Sequence, residues 1–195
     1  IVQDREYPQW DYGYHPEMIK AFKEKHGYDP REQEDPSKDE KWLKFRCDMV
    51  SEVANLVAEV VHKNGKAMSA SPFPTPKMAA RMVRQYWGDW NLDIVFPMVY
   101  HNFYTEDVSF VADCTIENAR DKQDMTTLGA GVWAYNTPEM FATMDAAFNN
   151  GAQAISMFTA EEIKDPAIRK QFKEYADSAR AARKANGGVV KATYP

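Results

Sequence analysis

The sequence predicts an α/β protein made of repeated strand–loop–helix units around a parallel sheet. Three observations predict it. Four short apolar runs begin near residues 66, 92, 127 and 152, so the starts lie 26, 35 and 25 residues apart. Each run is followed by a polar or Pro-containing turn and then by a segment with apolar residues at helical spacing. The runs are near-continuous rather than alternating, as expected of strands covered on both faces.

The elements follow in order. Residues 1–14, IVQDREYPQWDYGY, are dense in aromatic and acidic residues without a period, which predicts a loop. His15 to His26 places Met18, Ile19 and Phe22 on one side of a short helix, which Gly27 and Asp29-Pro30 end. Residues 31–39 form a charged loop. From Asp39 to Asn64, the residues Trp42, Phe45, Met49, Val50, Val53, Leu56, Val57, Val60 and Val61 recur mostly at threes and fours, predicting a long helix with a wide apolar stripe. The first run, Lys66 to Phe73, is followed by a helix at about 76–87. The second, Leu92 to Tyr100, is followed by a helix at about 105–122. The third, Thr127 to Ala134, leads into a helix ending at Asn149, opened by Thr137 as cap, Pro138 and Glu139. The fourth, Ala152 to Phe158, precedes a helix from about Ala160, with a break at Asp165-Pro166.

Composition narrows the function classes. The 195 residues are 44% hydrophobic and 27% charged, which excludes a disordered tail, a collagen-like chain and a membrane bundle. A net charge of −5 offers no electrostatic footprint for nucleic acid or an anionic membrane surface, so no nucleic acid partner and no membrane span are expected. Aromatic residues make up 13%, enough for either a large aromatic core or a stacking surface. Cys47 and Cys114 stand in helix-like sequence without a CxxC pair; each reads as a small buried residue, a disulfide between them being the alternative. The first residue is Ile1, with no secretory-type segment before it, so we expect a chain that is processed, truncated or part of something larger.

Four consecutive strand–helix units fit either an open doubly wound sheet or half of a (β/α)₈ barrel. The Gly-rich phosphate-binding turns of the first are absent, and Gly129 and Gly131 lie inside the third strand. The strand ends carry Ser69, Ser71, Tyr100, His101, Trp133, Tyr135, Ser156 and Phe158, the polar and aromatic groups a barrel's active face uses. A complete barrel needs roughly 250 residues, so the barrel reading makes this chain a part of one.

Several strings, in order along nearly the whole chain, carry a family resemblance: VQDREYPQWDYGY at 2–14, FKEKHGYDP at 22–30, WLKFRCDMVSEV at 42–53, SASPFP at 69–74, RQYWGDWNLDIVFPMVYHNFY at 84–104 and GAQAISMF at 151–158. The set resembles glycosyl-hydrolase-like family 10, barrel proteins described as family 10 glycosylhydrolases. The resemblance implies the C-terminal half of a TIM barrel: the loop after strand four, then strands five to eight. It further implies hydrolysis of a polysaccharide, with bacterial cell-wall glycan as one substrate class, and an extracytoplasmic location. The partners it implies are the carbohydrate and the missing N-terminal half, or self-association in its place.

Glycoside hydrolysis normally uses two carboxyl groups, one to protonate the leaving oxygen and one as nucleophile or base. None of the four predicted strands ends in Asp or Glu. Asp93, at a strand entrance, reads as a loop hydrogen-bonding residue. Asp4 and Glu6 are the best carboxylates, because the aromatic loop around them, with Tyr7, Trp10, Tyr12 and Tyr14, can raise a carboxyl pKa by desolvation; a loop ion pair with Arg5 is the alternative. Glu106, Asp107, Glu161 and Glu162 read as first-turn helix residues. Arg46 reads as a surface ion-pair residue, with reach to the upper face as the alternative, and Arg84 and Gln85 as structural residues midway along a helix. The expected catalytic set is Asp4, Glu6 and His101. The expected sugar-binding set is Tyr7, Trp10, Tyr12, Ser71, Tyr100, Asn102, Tyr104, Trp133 and Tyr135. His15, His26, His62 and His101 have no metal-ligand spacing, so neither metal nor cofactor is expected. The competing reading is a non-catalytic carbohydrate-binding or structural half-barrel module.

Overall fold

A computed structural model of the protein describes residues 12–134, 137–185 and 187. Among these residues the fold is mixed α/β, with four parallel strands in one sheet and six α-helices. Helix α1, Pro16–His26, starts where the His15 ring accepts the Glu17 N–H and ends at Gly27, whose φ of 83° is the left-handed value that glycine favours. Two short 3₁₀ turns, Pro30–Glu32 and Pro36–Lys38, occupy the charged loop, each opened by an aspartate that accepts a backbone N–H. Helix α2, Glu40–Lys63, is capped by Asp39, which accepts the N–H groups of Lys41 and Trp42. The Asp39 carboxylate also accepts the Tyr28 hydroxyl at 2.6 Å, and burial with that carboxylate pushes the phenol up to about 12.

The strand–helix units then follow: β1 (Ser69–Ala70), α3 (Pro76–Val83), β2 (Ile94–Val95), α4 (Ser109–Asp121), β3 (Thr127–Trp133), α5 (Thr137–Asn149), β4 (Ala154–Phe158) and α6 (Pro166–Ala185). The strands pair in the order β1-β2-β3-β4, all parallel. A doubly wound sheet needs a reversal of strand order, and this sheet has none. With right-handed crossovers, a sequential order puts the connecting helices on one face.

Several elements are shorter than their sequence patterns predict, and proline and left-handed residues explain it. The run at 66–73 contracts to two strand residues ahead of Pro72 and Pro74, which have no N–H for a ladder. Pro97 likewise interrupts the second run, and only Met98 bridges onward, to Gly131. Helix α3 stops at Val83 because Arg84 turns left-handed at φ 63°. Arg84 and Gln85 are therefore not midway along a helix, although their role is structural: Arg84 is buried and donates to the Arg81 carbonyl, and Gln85 accepts the Phe73 N–H. Helix α4 begins at Ser109 rather than 105, because residues His101–Tyr104 form a 3₁₀ turn that Thr105 closes at φ 56°. Glu106 and Asp107 thus precede the helix.

Strand β3 is buried on both faces along Leu128–Val132, as its continuous apolar run suggests, whereas the second run is covered on one face only. Along the second run Val95, Pro97 and Val99 are buried, while Ile94, Phe96, Met98 and Tyr100 between them are partly exposed. The buried set joins two clusters. Val95 and Leu128 pack with Ala79, Trp87 and Trp90. Val99, Ala130, Val132 and Ala134 pack with residues of α4, α5 and α6, including Phe110, Met140, Phe148 and Tyr175. Gly129 and Gly131 lie on the other face, where a Cβ at Gly129 would stand 2.3 Å from the Phe96 ring. The glycines are there to let β2 and that ring close over β3.

Helix α2 divides in two. Trp42, Leu43, Phe45 and Cys47 are buried, whereas Val53, Leu56, Val57 and Val60 are exposed at 62, 54, 48 and 62%. Arg46 is buried, not a surface ion-pair residue: it donates to the carbonyls of Trp42 and Tyr12 and stacks on the Trp42 ring at 4.7 Å. Cys47 and Cys114 are free, buried thiols, so the disulfide alternative falls away. No described helix is long and apolar enough to cross a membrane.

Candidate functional site

The site is built at the C-terminal ends of the strands, on the face that the helices leave open. Pairing sets its levels. Trp133 at the end of β3 is in register with Phe158 at the end of β4, and Met98 bridges Gly131, two residues earlier on the same face. Two residues past Met98 the same side is occupied by Tyr100, so Tyr100, Trp133 and Phe158 come to one level.

The rings form a continuous wall. Phe158 stacks on Tyr100 with centroids 5.6 Å apart at 23°. Tyr100 contacts Phe103 at 5.6 Å, and Phe103 contacts Trp133 at 4.7 Å. Phe103 and Phe158 are exposed, and Tyr100 and Trp133 are partly so. Burial pushes the Tyr100 phenol above its ordinary range, so its hydroxyl stays protonated through neutral pH and can donate a hydrogen bond.

His101 opens the 3₁₀ turn between two of these rings and is only 4% exposed. Its Nε2 lies 3.6 Å from Oε2 of Glu139, a half-exposed residue in the first turn of α5. That separation is beyond hydrogen-bond range but close enough for an ion pair when the imidazole is protonated. Asn102 is exposed beside it. Tyr104 packs against Phe110, with ring centroids 5.3 Å apart, and belongs to the core cluster rather than to the wall. Ser69 and Ser71 are both exposed on either side of Ala70, in agreement with their alternation.

The other candidates distribute differently. Asp4, Glu6, Tyr7, Trp10 and Tyr135 lie outside the described residues, as does the Arg5 alternative. Tyr12 is exposed, and Tyr14 packs on Trp42 at 5.5 Å, so this end of the aromatic loop serves α2. Asp107 accepts from Ser109, whose hydroxyl and N–H hold the carboxyl below its ordinary range. Glu161 lies in the 3₁₀ turn Ala160–Ile163, where Thr159 caps the turn by accepting the Glu161 N–H. Asp93 holds the opposite, N-terminal end of the sheet together: it accepts the Met68 N–H at 2.7 Å and lies 2.8 Å from Nε2 of His62. Among the described residues no three His, Cys, Asp or Glu side chains come together to hold a metal ion. A crevice of about 400 Å³ lined in part by Leu43, Cys47, Ala80 and Tyr86 belongs to α2 and α3, apart from the strand ends. Burial pushes the Cys47 thiol up, which leaves it unreactive.

Reasoning from sequence left Phe103 and Glu139 out of the site, and placed Phe158 at a strand end without assigning it to the sugar-binding set. Phe158 is legible as a strand-end aromatic once β3 and β4 are paired in register. Glu139 carries no such signal, because a glutamate in the first turn after Thr-Pro is explained by helix initiation alone. No family model matches the chain, and neither does any curated protein or any solved structure.

Proposed function

We propose that the protein is half of a glycoside-hydrolase-like (β/α)₈ barrel that binds a polysaccharide across the strand ends. The observation that carries this reading is the wall of Tyr100, Phe103, Trp133 and Phe158. Partly exposed rings at one level offer flat apolar faces to the C–H faces of successive sugar rings. The Tyr100 hydroxyl, Asn102 and Ser71 stand near the same strand ends to bond sugar hydroxyls. The resemblance to glycosyl-hydrolase-like family 10 supports bacterial cell-wall glycan as a substrate class and an extracytoplasmic location. Asp4 and Glu6 remain the proposed partners of His101 from the loop.

The sequential parallel sheet supports the half-barrel part of the reading. Among the described residues no strand pairs with the outer edges of β1 and β4, and nothing covers Val53, Leu56, Val57 and Val60 on the helix that leads into β1. The partner we propose is the complementary N-terminal half of the barrel, with self-association of this chain filling the same role in isolation.

A second reading, a carbohydrate-binding module without catalysis, is favoured by one observation: no described strand ends in a carboxylate. Titration of the chain with soluble β-glucan, chito-oligosaccharide and peptidoglycan glycan strands, followed by calorimetry, tests the common claim. Saturable binding of one of them that Trp133→Ala abolishes is expected. Binding that is indifferent to Trp133→Ala and Phe158→Ala sinks the wall as the site.

A further inference from the structure

We infer that Glu139 is the proton-transferring carboxylate of the strand-end site and that His101 is the residue that positions it. The inference rests on the proposed polysaccharide site and deepens it by supplying a group for the chemistry. The His101 side chain is 94% removed from solvent, and Glu139 Oε2 lies 3.6 Å from its Nε2, at ion-pair distance; Asp107 is a second carboxylate within electrostatic reach of the imidazole. The backbone from which the ring projects is fixed, since His101 begins a 3₁₀ turn and its main-chain carbonyl accepts the Glu106 N–H at 3.1 Å. Its neighbours in that turn, Tyr100 and Phe103, are wall residues. Glu139 is half-exposed, so one side of its carboxyl faces the buried histidine while the rest remains open to a ligand. A buried group that orients an accessible one is the arrangement by which general acid–base residues are held, and such contacts are often long before substrate closes them.

The step balances as hydrolysis. The protonated Glu139 carboxyl gives its proton to the glycosidic oxygen as the bond from that oxygen to the anomeric carbon breaks, and the electron pair leaves with the oxygen. A water oxygen then bonds to the anomeric carbon, and its released proton returns to the Glu139 carboxylate. The products are two hydroxyl-ended sugars, and water is the only co-reactant.

The experiment uses the full chain with the same soluble glycans, reading binding by calorimetry and cleavage by new reducing ends. Glu139→Gln is expected to bind within about twofold of the parent while kcat falls about a hundredfold or more, and Glu139→Asp to recover part of the loss. His101→Gln is expected to lower kcat with little change in KM and to move the pH profile of cleavage, which a purely structural role would not do. Retained binding also reports that each variant is folded. Cleavage by Glu139→Gln at the parent rate overturns the inference and leaves the site standing. A parent chain that binds glycan without cleaving it also overturns it, in favour of the non-catalytic module. Absence of any glycan binding removes the polysaccharide site itself, and the inference with it.

Discussion

Helix α4 and the second half of α2 have the same kind of sequence and opposite surroundings. In α4, Phe110, Val111 and Cys114 follow helical spacing and are buried. In α2, Val53, Leu56, Val57 and Val60 follow the same spacing and stand about half or more exposed. The difference is positional. Helix α4 crosses from β2 to β3, so strands lie on both sides of its apolar stripe. Helix α2 leads into β1 and packs Val50 and Ala54 against the cluster of Trp87 and Trp90, while nothing among the described residues covers Val53, Leu56, Val57 and Val60. An apolar stripe is thus buried where the packing of neighbouring units covers it, and the exposed residues of α2 are where the proposed partner half would dock.

The comparison breaks most sharply in the covered region. Phe110→Ala, in the cluster shared by α4, β3 and α5, is expected to destabilise the chain by about 3–5 kcal/mol, read from urea unfolding. Gly129→Val tests the face of β3 that the Phe96 ring covers, where the new side chain must displace that ring; a cost of about 1–3 kcal/mol is expected by the same measurement. An unchanged urea midpoint would mean that the ring is not held there. Tyr175→Phe removes the hydroxyl that donates to Asp145 at 2.8 Å between α5 and α6, at an expected cost of about 1–2 kcal/mol.

In the uncovered region the expected effect on stability is small. Val57→Lys is expected to change the unfolding free energy of the isolated chain by no more than about 0.5 kcal/mol. If a partner covers the stripe, the same variant weakens that association, which light scattering of the purified chain reads directly. A large loss of stability in a demonstrably monomeric chain would show that α2 is already packed. Asp29→Asn is expected to have the smallest effect of these variants, and one that fades as the pH falls. Hydrogen bonds from Arg31 hold the Asp29 carboxyl at about 2, below its ordinary value. The stabilisation is complete above about pH 4 and is lost as pH falls through about 2. The variant is therefore expected to flatten the acid limb of the stability profile, measured as urea midpoints between pH 5 and 2.

Much of this was open to reading before any coordinates. Gly27 at its left-handed C-cap, Asp39 at its cap and Thr127 to Trp133 as a strand all follow from local chemistry. The strand lengths around Pro72 and Pro97 were not legible, because an apolar run records burial while a ladder also requires N–H donors. The fate of Arg46 was not legible either. Its burial depends on Trp42 and Tyr12, the first one helical turn away and the second 34 residues earlier. Among the site residues, Tyr100, His101 and Trp133 were placed by their positions at strand ends. The packing of Tyr104 on Phe110 was not legible, because it depends on a 3₁₀ turn where the sequence reads as a loop.

By itself the sequence determined the repeating strand–helix units, the caps that bound several of the helices, and the supply of polar and aromatic groups at strand ends. These are short-range properties, set by apolar period, backbone freedom and nearby hydrogen bonds. Tertiary structure alone decided the strand order, the open face of the sheet, and which stripes are covered. It also brought His101 to Glu139 across 38 positions of sequence and Phe158 onto Tyr100 across 58. Such contacts are made between different strand–helix units, and only the packing of one unit on the next fixes which side chains meet.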